Sequence, residues 1–397
     1  MTWRRSLARL NLRDLPLAWL QLKRQPVRYL VAVTGIGFAA LLMYMQLGFQ
    51  SGLLNSATTF YEALDTDLVL ISPGTLNSGN FQQFPESLLF NALGVEGVKQ
   101  AIPLYVANIN TQKLGGVKPT SLRLIGFAPD TKVLNLPDVI AESEVLKTPG
   151  YVLFDTLGNR NTGPIATAFK NQGAQTMLLS DFSKTFRVMG LFKLGSTFAA
   201  DSNLISSDTT AIQLAFRQIN LGEISLGLLR LSPGADPKAI QTFLTKSYGK
   251  ELQVLTKSEL IAQERDYWNT ASSFGVIFGF GTIMGLLVGG VVVYQVLYTD
   301  VSDHLKEYAT LKAMGFADSF ILLIVIQEAF LLGISSFIPA TIISTGMYAF
   351  LTSASGIRIE MTSDKTLLVG ALTLGVCAAS AAIAIRRLQD ADPASVF

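Results

Sequence analysis

The chain has one cysteine, Cys377, and one histidine, His304, among 397 residues. No disulfide can form within it, and a zinc site of His and Cys ligands has too few donors. Charge is also scarce. Asp, Glu, Lys and Arg make up 15% of the residues, against about 25% in average soluble domains, which is a membrane composition. No G-x-x-x-x-G-K-[ST] segment occurs, and Gly249-Lys250 runs into Glu251 without the upstream glycine. The backbone cradle for nucleotide phosphates is missing, so the chain is not expected to hydrolyse ATP unaided. A G-x-S-x-G elbow is absent and the carboxylates are scattered. A non-catalytic chain is expected, with no catalytic residue, cofactor, metal or nucleic-acid partner.

What the chain does have is four long apolar stretches, unevenly spaced. Residues 29–49 and 267–299 carry no charge, 319–357 carry only Glu328, and 366–385 carry none. A bilayer core about 30 Å thick needs about 20 apolar residues in a helix, so each is long enough to span. Arg4, Arg5, Arg9, Arg13, Lys23, Arg24 and Arg28 precede the first stretch, opposed by Asp14, and Arg386 and Arg387 follow the last. Positive charge favours the cytoplasmic side, so both termini are expected inside a cell inner (plasma) membrane. The first stretch is too long for a signal-peptide core and reads as an uncleaved anchor.

The expected fold is therefore an α-helical membrane protein with four transmembrane helices, one plus three, around a large α/β extracytoplasmic domain of two lobes. Residues 1–28 form a cytoplasmic amphipathic entry segment, 29–50 the first spanning helix and 51–266 the periplasmic domain, with a second lobe at about 150–215. Residues 267–299 form a stalk and second spanning helix, 300–318 a cytoplasmic loop, and 319–351 the third spanning helix. A periplasmic loop at 352–365, a fourth spanning helix at 366–386 and a cytoplasmic tail at 387–397 complete the chain. His304 then lies inside, which excludes a His-paired triad in the domain outside.

Within the large domain, strands are expected at 67–71, 101–110, 121–127, 226–231 and 252–255, several of them ended by turn residues, and a middle portion rich in Gly, Asn, Thr and Ser begins at 150–155. Helices are expected at 85–93 and 238–248. Thr256 with Glu259 three residues on has the pattern of a capping box. The helix it starts is expected to run through Trp268 into the second span as one stalk.

Three features are candidates for function. In the inside loop, Leu305, Tyr308 and Ala309 share a helical face, Leu311 lies towards its edge, and Lys306 and Glu307 lie off it. Lys312 falls back near that face and Gly315 is a natural stop. Such a helix docks into a partner's groove or merely turns the chain. Glu328 is an ionisable group in a span, costly enough to suggest an ion pair with Lys312 or a basic residue of the entry segment. Gly275 and Gly279, then Gly281, Gly285 and Gly289, form small-xxx-small series for close helix packing, within one chain or across a dimer.

The loop's Lys306-Glu307, Leu311-Lys312-Ala313-Met314-Gly315, with Gln327-Glu328-Ala329 and Asp392-Pro393-Ala394, resembles the pattern of FtsX/MacB-type ABC transporter permeases. Residues 16–26 and 306–316 are most similar to the cyanobacterial DevC type. The resemblance implies a homodimer working with a separate ABC ATPase through a coupling helix at about 303–315. It also implies a periplasmic membrane-fusion adaptor, an outer-membrane channel and a lipid-like cargo, with heterocyst glycolipid as the DevC-type example. An FtsX-like transmembrane regulator of a periplasmic hydrolase and a lipoprotein-extraction subunit are the alternatives.

Overall fold

The computed structural model describes residues 24–112, 119–158, 164–179, 183–197, 200–304, 310, 314 and 318–389. These fall into two compact units. One comprises Gln50–Val276 with Phe350–Ile359, and the other the remaining spanning segments.

The first unit is built on strands β1 (Leu68–Ile71), β2 (Phe84–Pro85), β3 (Val98–Gln112), β4 (Pro119–Phe127), β5 (Tyr151–Asp155) and β6 (Gln175–Leu178). These are followed by β7 (Thr185–Phe192), β8 (Ser202–Ser207), β9 (Glu223–Ile224), β10 (Leu226–Leu231) and β11 (Gln253–Thr256). Nine strands form one sheet in the order β11-β1-β10-β3-β4-β8-β5-β7-β6, while β2 and β9 pair apart from it. The β4–β8 and β5–β7 pairings are parallel and the others antiparallel.

Both faces of this sheet are buried, which explains why β1 reads Leu-Val-Leu-Ile with no polar alternation. Leu68 and Leu70 join one core with Leu89, Ala211, Leu214, Ile240 and Leu244 from three short helices. Val69 and Ile71 point the other way, into a second core with Phe60, Tyr61, Leu64, Val139 and Leu260.

The second lobe expected at about 150–215 is not a separate body. Its strands β5 to β8 extend the same sheet, because β8 pairs in parallel with β4 from Leu122↔Ser202 to Phe127↔Ser207.

The helices also depart from the expected bounds. The first runs Pro26–Ala63, well past residue 50. Beyond the apolar stretch, Leu53, Ala57, Phe60 and Tyr61 recur at helical spacing, each no more than 4% exposed. The expected unbroken stalk is interrupted. The helix Lys257–Asp266, with its Thr256–Glu259 capping box, gives way to a π-helical turn, Tyr267–Ala271. Ser272 is extended, at φ −90° and ψ 150°, and a new helix spans Ser273–Asp303.

Among the described residues, four helices are long and apolar enough to cross a membrane, the remaining two being Asp318–Ser355 and Ser363–Gln389. Their shared core joins Ala32 and Ile36, Val293 and Leu297, Ala329 and Leu332, and Cys377 and Ala381. Cys377 is buried there as a small apolar group. Pro339 interrupts the backbone ladder of the third helix. Nearby, Ser336 Oγ and Thr341 Oγ1 donate back to carbonyls one turn earlier.

Candidate functional site

Only a few charged side chains are buried in the sheet unit, and two of them define its most organised feature. Arg123 is fully buried on β4 and Glu264 is 3% exposed on Lys257–Asp266. Ser78 bridges them. Its carbonyl accepts from Arg123 Nη2 at 2.9 Å. Its N–H donates to both Glu264 oxygens at 3.0 and 2.9 Å, and its Oγ donates to Oε1 at 2.7 Å. Trp268 Nε1 donates to the same carboxylate at 2.8 Å, and Tyr61 also hydrogen-bonds it. The Arg123 guanidinium lies 5.6 Å from the Phe60 ring centroid.

The local sequence explains each placement. Arg123 shares a face with Ile125, so a strand that buries both faces must bury its one cation. Glu264 and Trp268 are four apart, one helical turn, so both present to the same partner. Desolvation pulls the Arg123 guanidinium below its usual range, and the nearby Tyr61 and Glu264 oppose that shift. A buried charge of either sign is tolerable only with such partners.

The polar row continues across the sheet. Asn108, Arg123 and Asn203 are register neighbours on β3, β4 and β8. Asn203 Nδ2 donates at 2.8 Å to Asp155, which also accepts from the backbone of Leu157, Leu194 and Gly195. Burial raises the Asp155 pKa from its ordinary 3.8, and these four donors oppose the rise.

This arrangement joins the end of the first helix and the segment leading into the second span to the sheet. Phe60 and Tyr61 belong to the end of the first helix, and Glu264 and Trp268 to the segment leading into the second span. Three outer contacts act in the same sense. Arg265 lies 3.4 Å from Glu62, Lys257 Nζ donates to the Leu64 carbonyl, and Arg230 pairs with Asp65 at 2.7 Å.

The expected site residues fall elsewhere. Lys306, Glu307, Leu311, Lys312 and Gly315 lie outside the described residues, so their arrangement as a coupling helix is not described. Glu328 is 1% exposed in the third spanning helix, among Val325, Ala329 and Leu332. Its expected partner Lys312 and the entry segment before residue 24 are likewise outside the described residues.

The glycine series divides. A Cβ on Gly281 would meet the Gln46 side chain at 2.4 Å, one on Gly285 would meet Met43 at 3.3 Å, and one on Gly289 would meet Ala39 at 2.9 Å. These three let the second spanning helix approach the first within one chain. Gly279 faces nothing within 4 Å, and Gly275 sits over the Asn269 carbonyl beside the π-helical turn. Gly275 therefore packs against the local bend.

Sequence reasoning missed Arg123, Ser78, Glu264, Trp268, Asp155 and Asn203. One signal was available: Arg123 is a lone charge in the apolar run 121–127.

A family model described as FtsX-like permease C-terminal matches residues 279–393. The macrolide export ATP-binding/permease protein MacB of Hyphomonas neptunium is 22% identical over 377 residues, which are 91% of this chain and 56% of that protein. The chain thus spans little more than half the length of that curated relative. The periplasmic region of MacB from Actinobacillus actinomycetemcomitans is 13% identical, covering 50% of this chain and 92% of its own, with a TM-score of 0.32. The extracellular domain of the noncanonic ABC-type transporter YknZ from Gram-positive bacteria is 16% identical, covering 48% and 98%, also at 0.32. The match over residues 279–393 is in keeping with the resemblance seen in the inside loop.

Proposed function

We propose that this chain is the membrane subunit of an ABC-type exporter of the inner membrane. It acts by passing on motion rather than by conducting cargo through its spans. The carrying observation is the buried Arg123–Ser78–Glu264–Trp268 network, which fastens the end of the first helix and the segment leading into the second span to a single sheet. Two helices held this way move as a pair, the kind of element that a distant force biases as a unit.

In this reading two copies of the chain associate with two copies of a separate ATPase. The absence of a phosphate cradle from the sequence supports placing ATP hydrolysis on another chain. Closure of the ATPases displaces the inside loop at 300–318, with Lys306, Glu307, Leu311, Lys312 and Gly315 as the contact. The second span carries the displacement to the large domain outside, where a membrane-fusion adaptor and an outer-membrane channel receive it. The DevC-type resemblance of residues 16–26 and 306–316 supports a lipid-like cargo, with heterocyst glycolipid the first to try.

The test is ATPase stimulation in reconstituted complexes. Glu307→Ala and Gly315→Pro are each expected to abolish most of the stimulation by the membrane subunit while membrane insertion is retained. Unchanged stimulation in both would overturn the coupling assignment. Recovery of a periplasmic hydrolase as the stable partner, with no adaptor, would favour the regulatory alternative.

A further inference from the structure

The third spanning helix, Asp318–Ser355, ends inside the sheet unit, to which Phe350–Ile359 belongs. This short segment is closed on itself by three hydrogen bonds. Gly356 N–H donates to the Thr352 carbonyl at 3.0 Å, Ile357 N–H to Ser355 Oγ at 3.2 Å, and Ile359 N–H to Thr352 Oγ1 at 3.1 Å. The segment is also seated on two partners. A Cβ on Gly52 of the first helix would come within 2.9 Å of Ile359 and 3.3 Å of Ile357, and Ile359 is buried. On the other side, Ser196 Oγ donates to the Ser355 carbonyl at 3.3 Å.

Gly356 is the tightest point of this seat. Its φ of +74° suits a residue that ends a helix, which alone is an ordinary use of glycine. Other glycines with positive φ, such as Gly150, Gly173 and Gly249, would place a Cβ in open space. A Cβ on Gly356 would instead lie 2.9 Å from the Leu157 carbonyl oxygen, 3.0 Å from Ser196 Oγ and 3.1 Å from the Gly158 carbonyl oxygen. These groups sit on turns that Asp155 holds in place. Its buried carboxylate accepts from the N–H of Leu157, and from those of Leu194 and Gly195 just before Ser196. A fixed receptacle on the sheet thus meets a fixed helix end, and only glycine fits between them.

We propose that Gly356 and Ser196 position the third spanning helix as a second path by which motion at the inside loop reaches the sheet. This rests on the coupling role given to that loop. The loop at 300–318 joins the second and third spanning helices. The path along the second ends at the Glu264–Trp268 network, and the path along the third ends in this seat. At about 1.5 Å per residue, the third helix's 38 residues reach about 57 Å, well beyond a bilayer core of about 30 Å. Two attached struts carry a displacement of the loop to the sheet as a whole, where one alone would let the sheet swivel about it.

The experiment uses the full chain with Cys377→Ala, spin-labelled through Lys99→Cys on β3 and Phe350→Cys on the third helix, both exposed positions. Pulsed electron resonance in nanodiscs gives the distance between the labels, for the chain alone and with the separate ATPase before and after ATP is trapped. One narrow distance, unchanged by nucleotide, is expected. Gly356→Ala is expected to broaden the distribution, and Ser196→Ala to broaden it less. Hydrogen exchange across Phe350–Ile359 should quicken roughly 10-fold in Gly356→Ala, because a side chain at positive φ is strained. Unchanged exchange in β1 and β10 would separate a lost seat from a damaged fold. A parent distance that shifts with ATP, or a narrow distribution in both variants, would overturn the proposal and leave the exporter reading in place. Failure of the unmodified chain to stimulate the ATPase would overturn that reading, and the second path with it.

Discussion

At the scale of single residues, the decisive group is a cation that the strand pattern forces indoors. Arg123 is buried with its partner carboxylate one bridging residue away, so removing either leaves a charge without compensation. Glu264→Ala is expected to cost about 3–5 kcal/mol, the usual penalty for breaking a buried pair. Replacing both, as Arg123→Met with Glu264→Leu, should cost much less than the sum of the single changes. Denaturant titration of the full protein followed by tryptophan fluorescence measures the cycle, and additive costs would show that the two residues do not communicate. Little of this was legible in advance. Arg123 announces itself as a lone charge in an apolar run, but Ser78 reaches Glu264 across a separation of 186 positions. No local spacing encodes such a meeting. The loop residues Lys306 to Gly315, in contrast, are legible only by pattern, and the described residues do not include them.

At the scale of elements, the strands that were expected formed near their expected bounds, while β6, β7 and β8 were not anticipated. The run at 226–231 is β10 itself, and the Thr256–Glu259 capping box forms as its spacing requires. The first helix was misjudged at its far end because Ser, Thr and Asn conceal the apolar stripe Leu53, Ala57, Phe60 and Tyr61. The second-lobe boundary failed for a different reason: parallel pairing of β8 with β4 depends on a crossover that leaves no local mark. The cap itself is testable by pH. The Thr256 N–H holds Glu259 below its ordinary 4.5. A carboxylate lowered on folding contributes stability above its unfolded pKa and loses it as pH falls through the lower folded value. Glu259→Gln should therefore lower the melting temperature near pH 7, and that deficit should disappear towards pH 3. Thr256→Ala, which removes the other half of the box, should cost about 1 kcal/mol. A deficit independent of pH would count against the charge-based account.

At the scale of the whole molecule, the helical unit and the sheet unit have separate cores, and the glycines distinguish their roles. Gly289→Leu adds a side chain where Ala39 already stands 2.9 Å from a Cβ position, an overpacking worth about 1–3 kcal/mol. Hydrogen exchange should quicken in the first and second spanning helices and stay unchanged in β1 and β10. A Cβ at Gly279 would meet nothing within 4 Å, and Gly279→Leu should leave the folded single chain as stable as before. If Gly279 lies at the proposed dimer contact, the same change would instead halve the particle mass measured by light scattering.

The sheet order carries one last consequence, for how the protein comes into being. β1 is the first strand made, yet it lies between β10 and β11, pairing Leu68 with both Leu229 and Thr256. Its edges stay unsatisfied until nearly the whole domain has been synthesised, long after the first helix is available to enter the bilayer. Such high contact order makes for slow folding and a long exposure of the Leu-Val-Leu-Ile strand. The nascent chain thus has an obligatory waiting period, when its need for a holding chaperone is greatest.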